Sequence, residues 1–148
     1  MKIDIGAGRD KRPGFKRWDI SPVVKPDVLI DVSKDKFPVE DNACEEIRIS
    51  GVLEQILTNE GLLHCMNECH RILQSGGTMT VVVPNAKYST AFQDPHDVRQ
   101  FTPSTFKYFD QKEQAYTLYG SVYGYKGWQL NNLITGENGI MTIVLQKP

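Results

Sequence analysis

Lys2-Ile-Asp-Ile-Gly-Ala-Gly8, followed by Trp18-Asp19-Ile20, decides how this chain is read. An apolar strand over about residues 2–6 runs into a Gly-x-Gly turn, and a second strand, about 16–20, ends in an acidic residue. Gly6 and Gly8 permit backbone angles that a side chain would forbid, and they leave bare backbone for a ligand to touch. A carboxylate at the tip of the neighbouring strand, Asp19, is placed to accept hydrogen bonds from ribose hydroxyls.

Spacing separates two nucleotide readings. A dinucleotide fingerprint sets a third glycine three residues after the second, opening a helix whose N-terminus holds a pyrophosphate. That position is Lys11, and Pro13-Gly14 punctuates rather than propagates a helix, so a nicotinamide dehydrogenase fits poorly. A ligand with a ribose and no pyrophosphate fits better, and S-adenosyl-L-methionine is the common one.

The bulk properties agree with an ordinary globular protein. The 148 residues suffice for one domain, 1–148, and 40% hydrophobic with 24% charged residues is the usual balance. A net charge of -1 argues against a general nucleic-acid or membrane-surface role. Lys2, Arg9, Lys11, Arg12, Lys16 and Arg17 form a local basic cluster, read as a solvated loop ahead of a phosphate site. No run has the length of a membrane span, and a strand starting at residue 2 leaves no room for a signal peptide, so a cytoplasmic protein is expected. Cys65 and Cys69, flanked by His64 and His70, are read as part of a core stripe with Leu62, Met66 and Leu73 rather than as a metal site.

Along the chain, Asp27-Val-Leu-Ile-Asp31 reads as a third strand and Glu46-Ile-Arg-Ile-Ser50 as a fourth. A helix is expected over about 59–74, capped by Thr58 or Asn59 and ended by Gly76-Gly77. Thr78 to Pro84 is a buried strand, 85–101 a long polar loop, and Thr102-Pro103 opens a helix to about Asp110. Residues 128–135 and 140–145 form a closing antiparallel hairpin. Strands alternating with helices imply a mostly parallel α/β sheet, whose ligands bind at the carboxyl ends of the strands. Gly6 to Gly8, Asp19, Asp31, Ser50 with Gly51, and Asn85 all fall at those ends.

Taken in order, Ile3-Asp-Ile-Gly-Ala-Gly8, Gly51-Val-Leu-Glu54, His70 to Gly77, Val83-Pro-Asn85 and the final hairpin resemble the class I S-adenosylmethionine-dependent methyltransferases, most closely the small type 11 group. The resemblance implies a Rossmann-like sheet of about seven strands with the last antiparallel. It also implies that Gly6, Ala7 and Gly8 pass under the methionine part of the cofactor, near Asp4. Asp19, with Ile20 beside it, would hold the ribose, Asp31 and Val32 would meet the adenine, and the backbone at Ser50 and Gly51 would flank the sulfonium. The plain alternative for each of Asp4, Asp19 and Asp31 is a strand-end carboxylate that caps a turn, and the functional reading is preferred over it for Asp19 and Asp31.

Departures from that pattern are visible. Glu54-Gln55 stands where relatives read Glu-His, and Asp94-Pro95-His96-Asp97 places an imidazole one residue early. Helices between the first strands are short or missing, a reduced set for this fold. One sheet face near the first three strands is therefore expected to be thinly covered, calling for a homodimer or a partner chain. The expected activity is methyl transfer to an oxygen or nitrogen of a small-molecule or glycan-type acceptor, with His96 as base and Asp97 orienting it or standing in. His96 alternatively bonds within an exposed loop. A cofactor-binding or wholly degenerate partner subunit of the same fold is the alternative function.

Overall fold

The computed structural model describes residues 1–148. Seven strands form one sheet: β1 (Lys2–Ile5), β2 (Phe15–Asp19), β3 (Val28–Leu29), β4 (Cys44–Ser50), β5 (Leu73–Pro84), β6 (Gln129–Thr135) and β7 (Ile140–Gln146). Their order across the sheet is β3-β2-β1-β4-β5-β7-β6. Pairings from β3 to β5 are parallel, while β7 runs antiparallel to both β5 and β6. The closing hairpin expected from the sequence is therefore present, inserted with β7 inside and β6 at the edge.

Helix α1 (Asn59–Ile72) starts where Thr58 accepts a hydrogen bond from the Gly61 N–H at 3.0 Å. It ends earlier than the Gly76-Gly77 pair, because Leu73 is already extended and pairs with Cys44 as the start of β5. Leu62, Cys65, Met66, Cys69 and Ile72 are buried along one stripe of α1 and belong to a core cluster of 27 residues. The helix expected from Thr102 is instead a 3₁₀ turn, Pro103–Tyr108, although the Thr102–Thr105 capping box does form. Phe106 and Phe109 stand three residues apart and are both buried, and three is the spacing that a 3₁₀ turn superimposes. A further helical segment, a π turn (Tyr116–Gly120) running into α2 (Ser121–Tyr123), had no apolar stripe to announce it, since only Gly120 within it is buried.

Register assigns the two faces of the sheet. Ile3 and Ile5 lie beside Ile47 and Ile49, which lie beside Met79 and Val81, then Leu145 and Ile143, all buried in the core that α1 shares. The alternate positions Lys2, Glu46, Arg48, Thr78, Thr80 and Gln146 are only partly buried. No α-helix packs on that second face, which continues to Val144 and to Ile134, 58% exposed. The thin cover expected near the first three strands thus continues towards β6 and β7, although Asp4 on β1 is buried beneath Arg12 and beside Arg48. Parallel sheets are normally covered on both faces. Here polar residues and ion pairs, Lys2–Glu46 at 2.7 Å among them, occupy much of the uncovered one.

Candidate functional site

The Gly6–Gly8 turn is built against its neighbours before any ligand is considered. Gly6 has φ +72°, and a Cβ there would collide with the Val52 side chain and lie 2.8 Å from the Ser50 carbonyl oxygen. Gly8 has φ +57°, yet a Cβ there would meet nothing within 4 Å. Its N–H donates to Asp19 Oδ2 at 3.0 Å, and the other Asp19 oxygen accepts from the Ser21 N–H at 2.9 Å. The turn after β1 and the tip of β2 are thereby stapled together. A carboxylate offers about four lone-pair sites, so Asp19 keeps capacity for further donors.

A cleft of about 500 Å³ opens at this edge, lined by Gly6, Asp19 and Ile20, Asp31 and Val32, Gly51 and Val52, and the Gln55–Thr58 segment. Its volume falls within the roughly 300–1,000 Å³ typical of small-ligand sites. Six of the sequence-derived cofactor residues, Gly6, Asp19, Ile20, Asp31, Val32 and Gly51, line it directly. Ala7, Gly8 and Ser50 sit at the adjoining strand ends, outside its lining. Asp4 is not in the lining either. Its carboxylate is 1% exposed and lies 3.6 Å from Arg12 and 3.4 Å from Arg48. Burial pushes the Asp31 carboxyl up, but two hydrogen bonds from Ser33 and the nearby Lys34 leave it below its ordinary value. Asp31 therefore remains an anion in the lining of the cleft.

The 94–99 loop is clamped onto the turn after β4. Val98 and Arg99 donate their N–H groups to the Glu54 carbonyl at 2.9 and 3.0 Å, and Gln55 Nε2 reaches Asp97 Oδ1 at 3.3 Å and Asp94 Oδ2 at 3.4 Å. Asp97 is thus brought to the cleft rim through Gln55. His96 is exposed, and only its backbone N–H is engaged, by Asp94 at 2.9 Å. Its placement is that of a residue in an exposed loop rather than of one inside the cleft.

Glu54 is the residue that sequence reasoning passed over. It is 5% exposed, its Oε2 has no hydrogen-bond partner, and Oε1 lies 3.7 Å from where a Gly51 Cβ would stand. Burial pushes its carboxyl up to about 7, against a hydrogen bond from its own backbone, and the charges of Asp97 and Asp94 add to the rise. The signal was in plain view as a carboxylate between apolar residues, Leu53 and Ile56, but the 94–99 loop that docks on its backbone carbonyl and brings Asp94 and Asp97 near it is remote in sequence.

A second and larger cavity, about 730 Å³, lies beyond the same segment, between the first turns of α1, Arg99, the Pro103–Tyr108 turn and the rings of Tyr123 and Tyr125. No cluster of His, Cys, Asp or Glu side chains is arranged to hold a metal ion.

Comparison with solved structures bears on the fold. A putative methyltransferase from Haloferax volcanii, in complex with the Trm112 methyltransferase activator, matches 99% of this chain and 82% of its own at TM-score 0.66 and 14% identity. A SAM-dependent methyltransferase from Archaeoglobus fulgidus matches 99% and 85% at TM-score 0.67 and 16% identity. One from Methanosarcina mazei matches 99% and 91% at TM-score 0.63 and 12% identity.

This is the class I methyltransferase fold.

No family model and no curated protein matches the sequence. Within the class I methyltransferase fold the cleft of Gly6, Asp19 and Asp31 occupies the carboxyl edge of the parallel strands, the position that sequence reasoning assigned to a ligand. No helix of the chain is long and apolar enough to cross a membrane.

Proposed function

We propose that this chain, read as one domain, is an S-adenosylmethionine-dependent methyltransferase that moves a methyl group to an oxygen or nitrogen of a small-molecule or glycan-type acceptor. The observation that carries this reading is the cleft itself, which gathers Gly6, Asp19, Asp31 and Gly51 from four segments at one sheet edge. The residues fit the cofactor: two carboxylates for a ribose and an amino group, apolar Ile20, Val32 and Leu57 for a ring, and open space above Gly8. When bound, S-adenosylmethionine supplies a methyl group on a positively charged sulfur, already a good leaving group.

What the chain adds is position. Holding the nucleophile close and aligned provides much of the acceleration in such displacements. An acceptor hydroxyl must also lose its proton, and a positioned carboxylate or imidazole contributes roughly a hundredfold or more. Asp97 is the better placed of the two sequence candidates, because it reaches the rim through Gln55, with His96 outside it. Calorimetry with S-adenosylmethionine and its demethylated product tests the reading: one site is expected, weakened at least tenfold in Asp19→Ala. Absence of binding by the wild-type chain removes it.

The alternative of a catalytically silent partner subunit draws support from one feature, the exposed His96 with no side-chain partner. Cofactor binding without transfer to any acceptor would favour that alternative. We further propose that a second copy of the chain or a partner chain covers the open sheet face, a cytoplasmic setting being assumed. The Haloferax neighbour, solved with a partner protein, supports the idea that this fold accepts one.

A further inference from the structure

We propose that the cavity between α1, Arg99 and the Tyr123–Tyr125 segment is the acceptor site, and that it takes an aromatic carboxylic acid with the carboxylate on Arg99. The inference rests on the methyl-transfer reading and narrows its acceptor.

Position is the first ground. The cofactor cleft ends at Ile56, Leu57 and Thr58, and the cavity begins at Asn59 and Glu60, so one short segment forms a wall of both. Arg99 spans that wall: Nε donates to the Ile56 carbonyl at 3.4 Å and Nη1 to Asn59 Oδ1 at 3.2 Å. The guanidinium is half-buried, no carboxylate stands within ion-pair distance of it, and its Nη2 carries no hydrogen bond. A planar fork fixed by two neutral acceptors and lacking its own counter-ion matches an incoming carboxylate or similar planar anion.

The walls supply the second ground. Tyr108 and Tyr123 line the cavity while 37% and 58% exposed, a large aromatic surface left facing water. The Tyr125 ring packs edge-on against Phe109 at 4.9 Å, while its hydroxyl has no partner; the bond from Tyr116 goes to the Tyr125 carbonyl instead. Burial pushes the Tyr125 phenol up, the charge of Arg99 opposes that rise, and both residues line the cavity. Aromatic walls favour stacked or edge-on rings, and the two free donors favour an anion at one end. The π turn, Tyr116–Gly120, precedes Tyr123 and Tyr125 in the chain and is a local irregularity of a kind frequent near binding sites.

Binding decides the matter without requiring turnover. Calorimetry on the chain loaded with demethylated cofactor is run with 4-hydroxybenzoate, phenol and cyclohexanecarboxylate, on wild type, Arg99→Gln and Ser104→Trp. Ser104 is an exposed lining residue whose side chain makes no hydrogen bond, so its replacement fills the cavity without threatening the fold. We expect 4-hydroxybenzoate to bind at least tenfold more tightly than either of the other two, and each variant to lose at least tenfold. Equal binding by wild type and both variants, or no binding while the cofactor product still binds, overturns the proposal. Failure of the cofactor product itself to bind would instead overturn the methyltransferase reading, and the aromatic acid would still report on the cavity.

Discussion

A methyl group added at Gly6 strikes Val52, whereas one added at Gly8 meets nothing, though both residues hold positive φ. Gly6→Ala should therefore cost about 3 kcal/mol or more, from overpacking plus the left-handed backbone. Gly8→Ala should cost about 1–2 kcal/mol, from the backbone alone, while weakening cofactor binding. Denaturant melts of both variants check the contrast, and equal losses would contradict it. Glu54 makes a pH prediction at the same scale. Its folded-state value, about 7 against an ordinary 4.5, means the folded chain keeps a proton that the unfolded chain has released between those limits. That contribution is fully present below about pH 4.5 and disappears as pH rises towards 7, on the order of 3 kcal/mol. Glu54→Gln should flatten the stability profile between pH 5 and pH 8, and an unchanged slope would contradict the assignment. Gly6, Asp19 and Asp31 were readable because glycines and acids at strand ends are local signals. Glu54 was not, because the 94–99 loop that docks on its carbonyl and sets Asp94 and Asp97 near its carboxyl is remote in sequence.

Among the elements, α1 is tied to the loop before β4 by His64, Glu68 and, with the most bonds, Arg71. Arg71 donates to Glu68 at 2.7 and 2.8 Å, to Asp41 at 2.7 Å and to the Val39 and Phe37 carbonyls at 2.8 and 3.1 Å. Its hydrogen bonds hold the Glu68 carboxyl below its ordinary value. Arg71→Ala should cost about 2–4 kcal/mol, since several charge-assisted bonds and two carbonyls lose their donor together. A loss under half of that in a urea melt would show the network to be peripheral. The sequence revealed α1 through its stripe and its Thr58 cap, and the strands through their β-branched runs. It misplaced the end of α1, where Leu73 leaves for the sheet, and took a 3₁₀ turn for a helix after Thr102. The large cavity stayed hidden because residues 59–63, 99–109 and 123–125 meet only in the folded chain.

For the whole molecule, the one-sided cover of the sheet is the feature that sets it apart. Thr78, Thr80, Arg48 and Gln146 let most of the open face stand in water, while Val144 and Ile134 leave an apolar portion near β6 and β7. Light scattering is expected to read a mass above the 16.8 kDa of one chain, or to do so once a partner is added; a lone chain under all conditions counts against the covered face. Binding of the demethylated cofactor at a hundredfold its dissociation constant should add about 2.7 kcal/mol and raise the melting temperature by roughly 5–10 °C. Most directly, a crystal structure with that product should place its ribose hydroxyls within about 2.6–3.2 Å of the Asp19 carboxylate, with the adenine beside Asp31 and Val32. Nucleoside density elsewhere on the chain, or a cleft that stays closed to it, would contradict the account.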